Sequence, residues 1–165
     1  MMKLNQTFAI SGLCLALSIA GLSPAQAWAG ERGHFRGVAV LNNTKFTEYK
    51  TPEGHPYKAA WSGEQEGLVF NDNKGEFLDK AHYIVQFVGD AGTVSGYCLK
   101  TFSMKNDRVF ARCDWKGTDS GSGGTVTILG GTGRYAGIKG KGTFKFTPVS
   151  PVVNWDLLEI DYEIP

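Results

Sequence analysis

Beyond residue 30 the chain alternates. Leu158, Ile160, Tyr162 and Ile164 share one parity, and Glu159, Asp161 and Glu163 share the other. Phe144 and Phe146 oppose Lys141, Thr143 and Lys145; Val126 and Ile128 oppose Thr125 and Thr127; Ala81, Tyr83, Val85 and Phe87 oppose His82 and Gln86. A period of two belongs to a strand with one buried and one wet face. Eight runs of this kind fall at about 35–50, 57–70, 76–88, 93–103, 108–116, 125–129, 140–147 and 154–164. Turn chemistry separates them, including "TPEGHP", "NDNKG", "GDAG", "TDSGSGG" and "PVSP". No long helical pattern intervenes. Short strands with no helices between them predict an all-β, antiparallel domain, and eight up-and-down strands can close into a β-barrel that has no edges. With no internal repeat and no linker, one domain over 30–165 is expected.

The first residues follow another rule. Lys3 precedes an apolar stretch over 8–22, which is shorter than the roughly 20 residues of a membrane span. Ala25-Gln26-Ala27 then offers small residues for cleavage, with Ala27-Trp28-Ala29 as a second option. Residues 1–27 therefore read as a secretory signal peptide, with cleavage at 27 or 29 and export to the periplasm or medium. No membrane span is expected in the mature chain. Its charge excludes another class of partner. Removing Lys3 from 17 basic residues leaves 16 against 16 acidic, with no basic cluster, so no nucleic acid partner is expected.

Cleavage would also remove Cys14 and leave Cys98 and Cys113. "TVSGYCLKTF" and "RVFARCDW" flank "SMKND" as a hairpin. Pairing centred between Lys105 and Asn106 sets the two cysteines opposite each other. A disulfide fits a close, non-hydrogen-bonded pair in an oxidising compartment. The other reading is two small apolar thiols in a core.

"GGTGRYAGIKGKGTF", residues 130–144, tests for phosphate chemistry. Gly131, Gly133 and Ala136 have dinucleotide-loop spacing after a strand. That chemistry needs a helix N-terminus at the phosphates. Instead, 137–142 contains three glycines, and "KGTFKFT" alternates as a strand. Gly142 also occupies the place where a P-loop needs Ser or Thr. The segment reads as two strands joined by a glycine-bent loop, with one helical turn at 134–137. No cofactor is expected.

On the apolar faces, Trp61, Tyr83, Phe87, Lys100, Trp115 and Phe144 form the candidate inner wall for a ligand. Lys100 stands on the same face as Cys98 and Phe102. It could meet an anionic ligand head or act as a base, or it could snorkel to the rim. Glu64 and Glu66 share parity with Leu68 and Phe70, so they are either paired carboxylates or turned outward by a bulge near Gly63 or Gly67. His34, His55 and His82 fall in separate runs and turns, which argues against a metal cluster. Ser120 and Ser122 lie in "DSGSGG", which lacks a nucleophile elbow and reads as a flexible loop. The sequence carries no catalytic motif.

"SGYC", "RVFARCDW" and above all "GGTGRYAGIKGKGTF" resemble bacterial exported proteins of the allene oxide cyclase-like, dirigent-like barrel group, whose loop reads "GGTGxYxGxxGxGT". "TPEGHPYKAAWSGEQEGLVF" adds to the resemblance, which covers 35–165. It implies a calycin-type, eight-stranded barrel with a largely apolar cavity, often homo-oligomeric. Plant members include a cyclase of an unstable fatty-acid epoxide and proteins that steer radical coupling. Their catalytic residues match no motif here, so the resemblance informs the fold and not the function. Three functions then compete. The first is binding of a small lipophilic molecule in the lumen. The second is a cyclase- or isomerase-type enzyme that shapes a reactive lipophilic substrate. The third is a structural or interaction barrel with a filled core.

Overall fold

A computed structural model describes residues 30–165 apart from 51, 54–58 and 119. The expected signal peptide and His55 lie outside the described residues. Eight strands run in chain order: β1 (Glu31–Lys50), β2 (Ala59–Asn71), β3 (Ala81–Asp90), β4 (Ser95–Met104), β5 (Asp107–Thr118), β6 (Gly121–Gly131), β7 (Lys139–Pro148) and β8 (Val153–Ile164). Each pairs antiparallel with the next, and β1 pairs with β8, so the barrel is closed. Closure satisfies every strand edge internally. Inward positions follow the alternation: Ala81, Tyr83 and Val85 are buried on β3, and Leu158 and Ile160 on β8.

Of the boundaries that depart from expectation, those at the starts of β3 and β6 have a physical reason. β3 starts at Ala81 and not near 76. The preceding turn leaves the sheet to carry Phe77 and Leu78, both buried, under the barrel. β6 starts at Gly121, so much of the "TDSGSGG" stretch read as loop is strand. Gly123 and Gly124 pair with β5 on one side and β7 on the other. A side chain at Gly124 would collide with the Asp114 backbone, so glycine there serves close packing of strands.

The ends of the barrel differ. At the base, Phe77 stacks on Tyr162 at 3.8 Å and meets Phe35 and Tyr135 edge-on, both at 5.6 Å. The glycine-rich loop contributes Tyr135 and Ile138, both buried. Its helical turn is a single 3-10 turn at Gly133–Tyr135. Among the described residues the opposite end, where β3 turns into β4, β5 into β6 and β7 into β8, is open. The loop is thus part of the plug, and Lys141 points outward.

The outer wall is not uniformly polar. Val38 and Val40 on β1 pair with Phe70 and Leu68 on β2 and with Leu157 and Trp155 on β8. Five of these six are exposed, Trp155 at 50%. Leu68 and Phe70 share this face with Glu64 and Glu66. The carboxylates therefore face outward without any bulge in β2. The register shift on this side lies in β1, between Asn43 and Lys45. Glu66 Oε1 meets His82 Nε2 at 2.6 Å, and Glu64 accepts from Gln86 at 2.9 Å.

Candidate functional site

The open end leads into a cavity of about 320 Å³. Its walls are mainly rings: Trp61 from β2, Phe87 from β3, Trp115 from β5, and Phe144 and Phe146 from β7. Glycines on the inner face let two of these rings lie against the wall. A Cβ at Gly89 would collide with the Trp115 ring, and one at Gly96 would collide with the Val88 carbonyl and come within 2.9 Å of the same ring. A Cβ at Gly63 would collide with the Phe87 ring. Side chains at Gly89 and Gly63 would press on these rings. Gly89 and Gly96, opposite each other on β3 and β4, and Gly63 on β2 put no side chain on the inner wall beside these rings.

The rim includes a strained turn. Val94, which links β3 to β4, has φ of 47°, a region that a β-branched residue rarely enters. Its carbonyl accepts a 2.6 Å hydrogen bond from Gly117 N–H. That bond ties the turn to β5 beside the cavity mouth.

The floor of the cavity is polar. Lys100 Nζ donates to Asp156 Oδ2 at 2.5 Å and to the Tyr83 hydroxyl at 2.6 Å, and the Tyr83 hydroxyl donates to Asp156 Oδ2 at 2.6 Å. The ion pair is 1% exposed on each side. Phe144 covers it, with Nζ 4.4 Å from the ring centroid, and Phe102 stacks on Tyr83 from below at 4.6 Å. Burial pulls the Lys100 ammonium below its ordinary pKa, while the charge and hydrogen bond of Asp156 act the other way. Burial, then the charge and hydrogen bond of Asp156, push the Tyr83 phenol well above its ordinary value. Asp156 Oδ1 and Trp115 Nε1 are buried and have no hydrogen-bond partner among the described residues. One wall carries a neutral network. Gln65 and Asn154 both donate to Asn43 Oδ1, at 2.9 and 3.0 Å.

Five of the six residues proposed for the inner wall, Trp61, Phe87, Lys100, Trp115 and Phe144, line this cavity. Tyr83 does not. It lies one level deeper and reaches the site only through its hydroxyl. Lys100 does not snorkel to the rim, and it is not free to neutralise an anion, because Asp156 already pairs with it. Sequence reasoning missed Asp156 and Gln65. The signal for Asp156 was present: the β8 alternation continues backward from Leu158 to Asp156 and Asn154.

Cys98 and Cys113 are opposite each other on β4 and β5 and form a disulfide, with Cα atoms 4.9 Å apart. Cys98 also lines the cavity. His34 meets Asp161 Oδ1 at 2.8 Å on the outer wall, away from His82. Among the described residues no group of three or more His, Cys, Asp or Glu is arranged to hold a metal ion. A wider depression on the outer wall, lined by Arg32, His34, Lys139, Lys141, Asp161 and Glu163, is shallow and carries both signs of charge.

These features define a closed eight-stranded antiparallel barrel, plugged at one end, with a ring-walled cavity over a buried polar floor. No protein-family model and no curated protein matches the sequence. Among solved structures the chain is similar to a pyocyanin demethylase, with TM-score 0.47, 18% identity, and coverage of 75% of this chain and 98% of that chain. It is also similar to two pterocarpan synthase dirigent proteins. For one, the TM-score is 0.43 at 13% identity, with 85% and 88% of the two chains covered; for the other, it is 0.37 at 13% identity, with 82% and 94% covered.

Proposed function

We propose that this protein is an exported binding protein that holds a small, mainly apolar molecule in the mouth-side cavity. The observation that carries this reading is the hollow upper half of the barrel. A filled interior would serve a structural barrel, and the base is filled in that way. The upper half instead holds, among the described residues, a cavity of about 320 Å³ behind aromatic walls. Apolar walls with a few polar groups are typical of small-molecule sites. The buried Cys98–Cys113 disulfide fits an oxidising compartment, and no helix among the described residues is long and apolar enough to cross a membrane.

The test is a titration of the mature protein with N-phenyl-1-naphthylamine, whose fluorescence rises in apolar surroundings. Saturable enhancement is expected for the wild type. Ser122→Trp, which adds a ring at a cavity-lining position near the rim, should lose it while retaining its circular dichroism spectrum. No saturable binding, or equal binding by the variant, would refute the reading. Mass spectrometry of extracts from the purified protein then identifies the natural occupant.

The enzyme reading, a cyclase or isomerase, has one observation in its favour. Lys100, its pKa lowered by burial, and the free oxygen of Asp156 stand side by side under the cavity. Such a pair could move a proton on a bound substrate. For self-association, the outer strip centred on Val38 and Val40 is the apolar face that a second copy would cover. Leu68→Lys with Trp155→Lys should turn a homo-oligomer into a monomer in light scattering.

A further inference from the structure

We infer that the cavity selects an uncharged ligand carrying an O–H or N–H donor at its buried end, which donates to Asp156 Oδ1. This rests on the reading of the cavity as a ligand site and goes on to specify the ligand. Asp156 lines the cavity and is 1% exposed. Its Oδ2 is fully engaged: Lys100 and Tyr83 both donate to it. Its Oδ1 receives nothing from the described residues. A buried carboxylate oxygen without a donor is costly, and a hydrogen bond to an ionised acceptor is stronger than a neutral one. A ligand that brings a donor to this point gains that bond. A ligand without a donor leaves that buried acceptor unmet.

Charge narrows the choice further. Lys100 and Asp156 cancel one for one. The buried polar groups that line the cavity, Gln65 and these two, therefore carry no net charge. A ligand carboxylate would lose its hydration for a lysine already paired at 2.5 Å, and it would stand beside the free oxygen of Asp156. A ligand cation would gain from Oδ1 but face the Lys100 ammonium. Neither charge is compensated, and an uncompensated buried charge is strongly disfavoured. The lysine that resembles an anion anchor in the sequence instead orients a carboxylate acceptor.

The experiment compares 2-naphthol, 2-methoxynaphthalene and 2-naphthoate near neutral pH, by calorimetry on the mature protein. These probes share one ring system and differ in their polar end. The expected order places 2-naphthol tightest, by roughly 10-fold or more over each of the others, equivalent to about 1.4 kcal/mol. The triple variant Lys100→Met, Tyr83→Phe, Asp156→Leu replaces the polar floor by apolar groups. In it, the difference between naphthol and its ether should vanish while ring binding persists. Equal binding of naphthol and ether by the wild type would overturn this inference and leave the lumen reading standing. Tightest binding of naphthoate would overturn it in favour of an anion site. Absence of binding by all three probes, with no saturable N-phenyl-1-naphthylamine signal, would overturn both readings. A naphthol preference that survives in the triple variant would place the acceptor elsewhere and overturn the role of Asp156.

Discussion

Lys100→Met is the sharpest test of the floor. The substitution keeps a long unbranched side chain under Phe144 and removes the charge. Asp156, 1% exposed, would keep only the Tyr83 hydroxyl as donor. Breaking a buried pair by removing one partner costs about 3–5 kcal/mol, because the remaining charge has no compensation. The surviving Tyr83 bond argues for the lower half of that range. Against a total stability of about 5–15 kcal/mol for a domain, this is a large fraction. Replacing the whole cluster should behave differently. Lys100→Met with Tyr83→Phe and Asp156→Leu leaves no polar group stranded, and such replacements are often neutral or stabilising by about 1–4 kcal/mol. The assay is urea unfolding followed by tryptophan fluorescence, with the slope checked for constancy. The single variant should therefore be less stable than the triple. If Lys100→Met costs less than about 1 kcal/mol, or the triple is less stable than the single, the three groups do not act as a buried unit.

Phe102→Ala removes a fully buried ring stacked on Tyr83 and should cost about 3–5 kcal/mol, while Phe87→Ala, at the edge of an existing void, should cost clearly less in the same urea assay. Thiol titration of unfolded, unreduced mature protein should find none, and reduction should lower stability by roughly 3 kcal/mol for a loop of this length in the chain-entropy model. Gly133→Val should destabilise by about 1–3 kcal/mol, since φ there is 57° and a side chain would meet the Asp107 carboxylate, whereas Lys141→Ala should stay within about 0.5 kcal/mol. Tyr83 is raised in the folded state, so its contribution is complete below its unfolded pKa and is lost as pH rises through the folded value. The stability difference between wild type and Tyr83→Phe should therefore be flat below about pH 10, the ordinary tyrosine value, and should fall above it.

The barrel was legible because its information is local. Alternation in β3, β7 and β8 sets which side chains face in, and the spacing of Cys98 and Cys113 about one turn fixes the β4–β5 register. What was not legible depended on strands distant in sequence. Lys100 on β4 and Asp156 on β8 are separated by 56 positions, and neither alone shows that the other cancels it. Read by itself, Lys100 could be an anion anchor, a base or a lysine snorkelling to the rim; with Asp156 in place it is one half of a neutral pair. The hollow lumen was hidden for a similar reason. Gly89 falls in the turn stretch "GDAG" and Gly96 in "SGYC" of the next run, and neither shows that the ring beside them, Trp115, comes from β5. Conversely, the "TDSGSGG" stretch read as loop because glycine weakens strands by local propensity, and close packing against the Asp114 backbone outweighs that preference. The inner glycines and the paired lysine act together. The first keep the aromatic rings at the wall, and the second places one free carboxylate oxygen at the bottom of the space they leave. A substitution at Gly89 should therefore impair binding as surely as one at Asp156, although it touches no polar group. Gly89→Ala would press on the Trp115 ring and turn it into the cavity, and its effect should be read as weaker N-phenyl-1-naphthylamine binding by a protein that remains folded. Unchanged binding by Gly89→Ala would show that the ring can move elsewhere, and that the cavity does not owe its volume to the missing side chain.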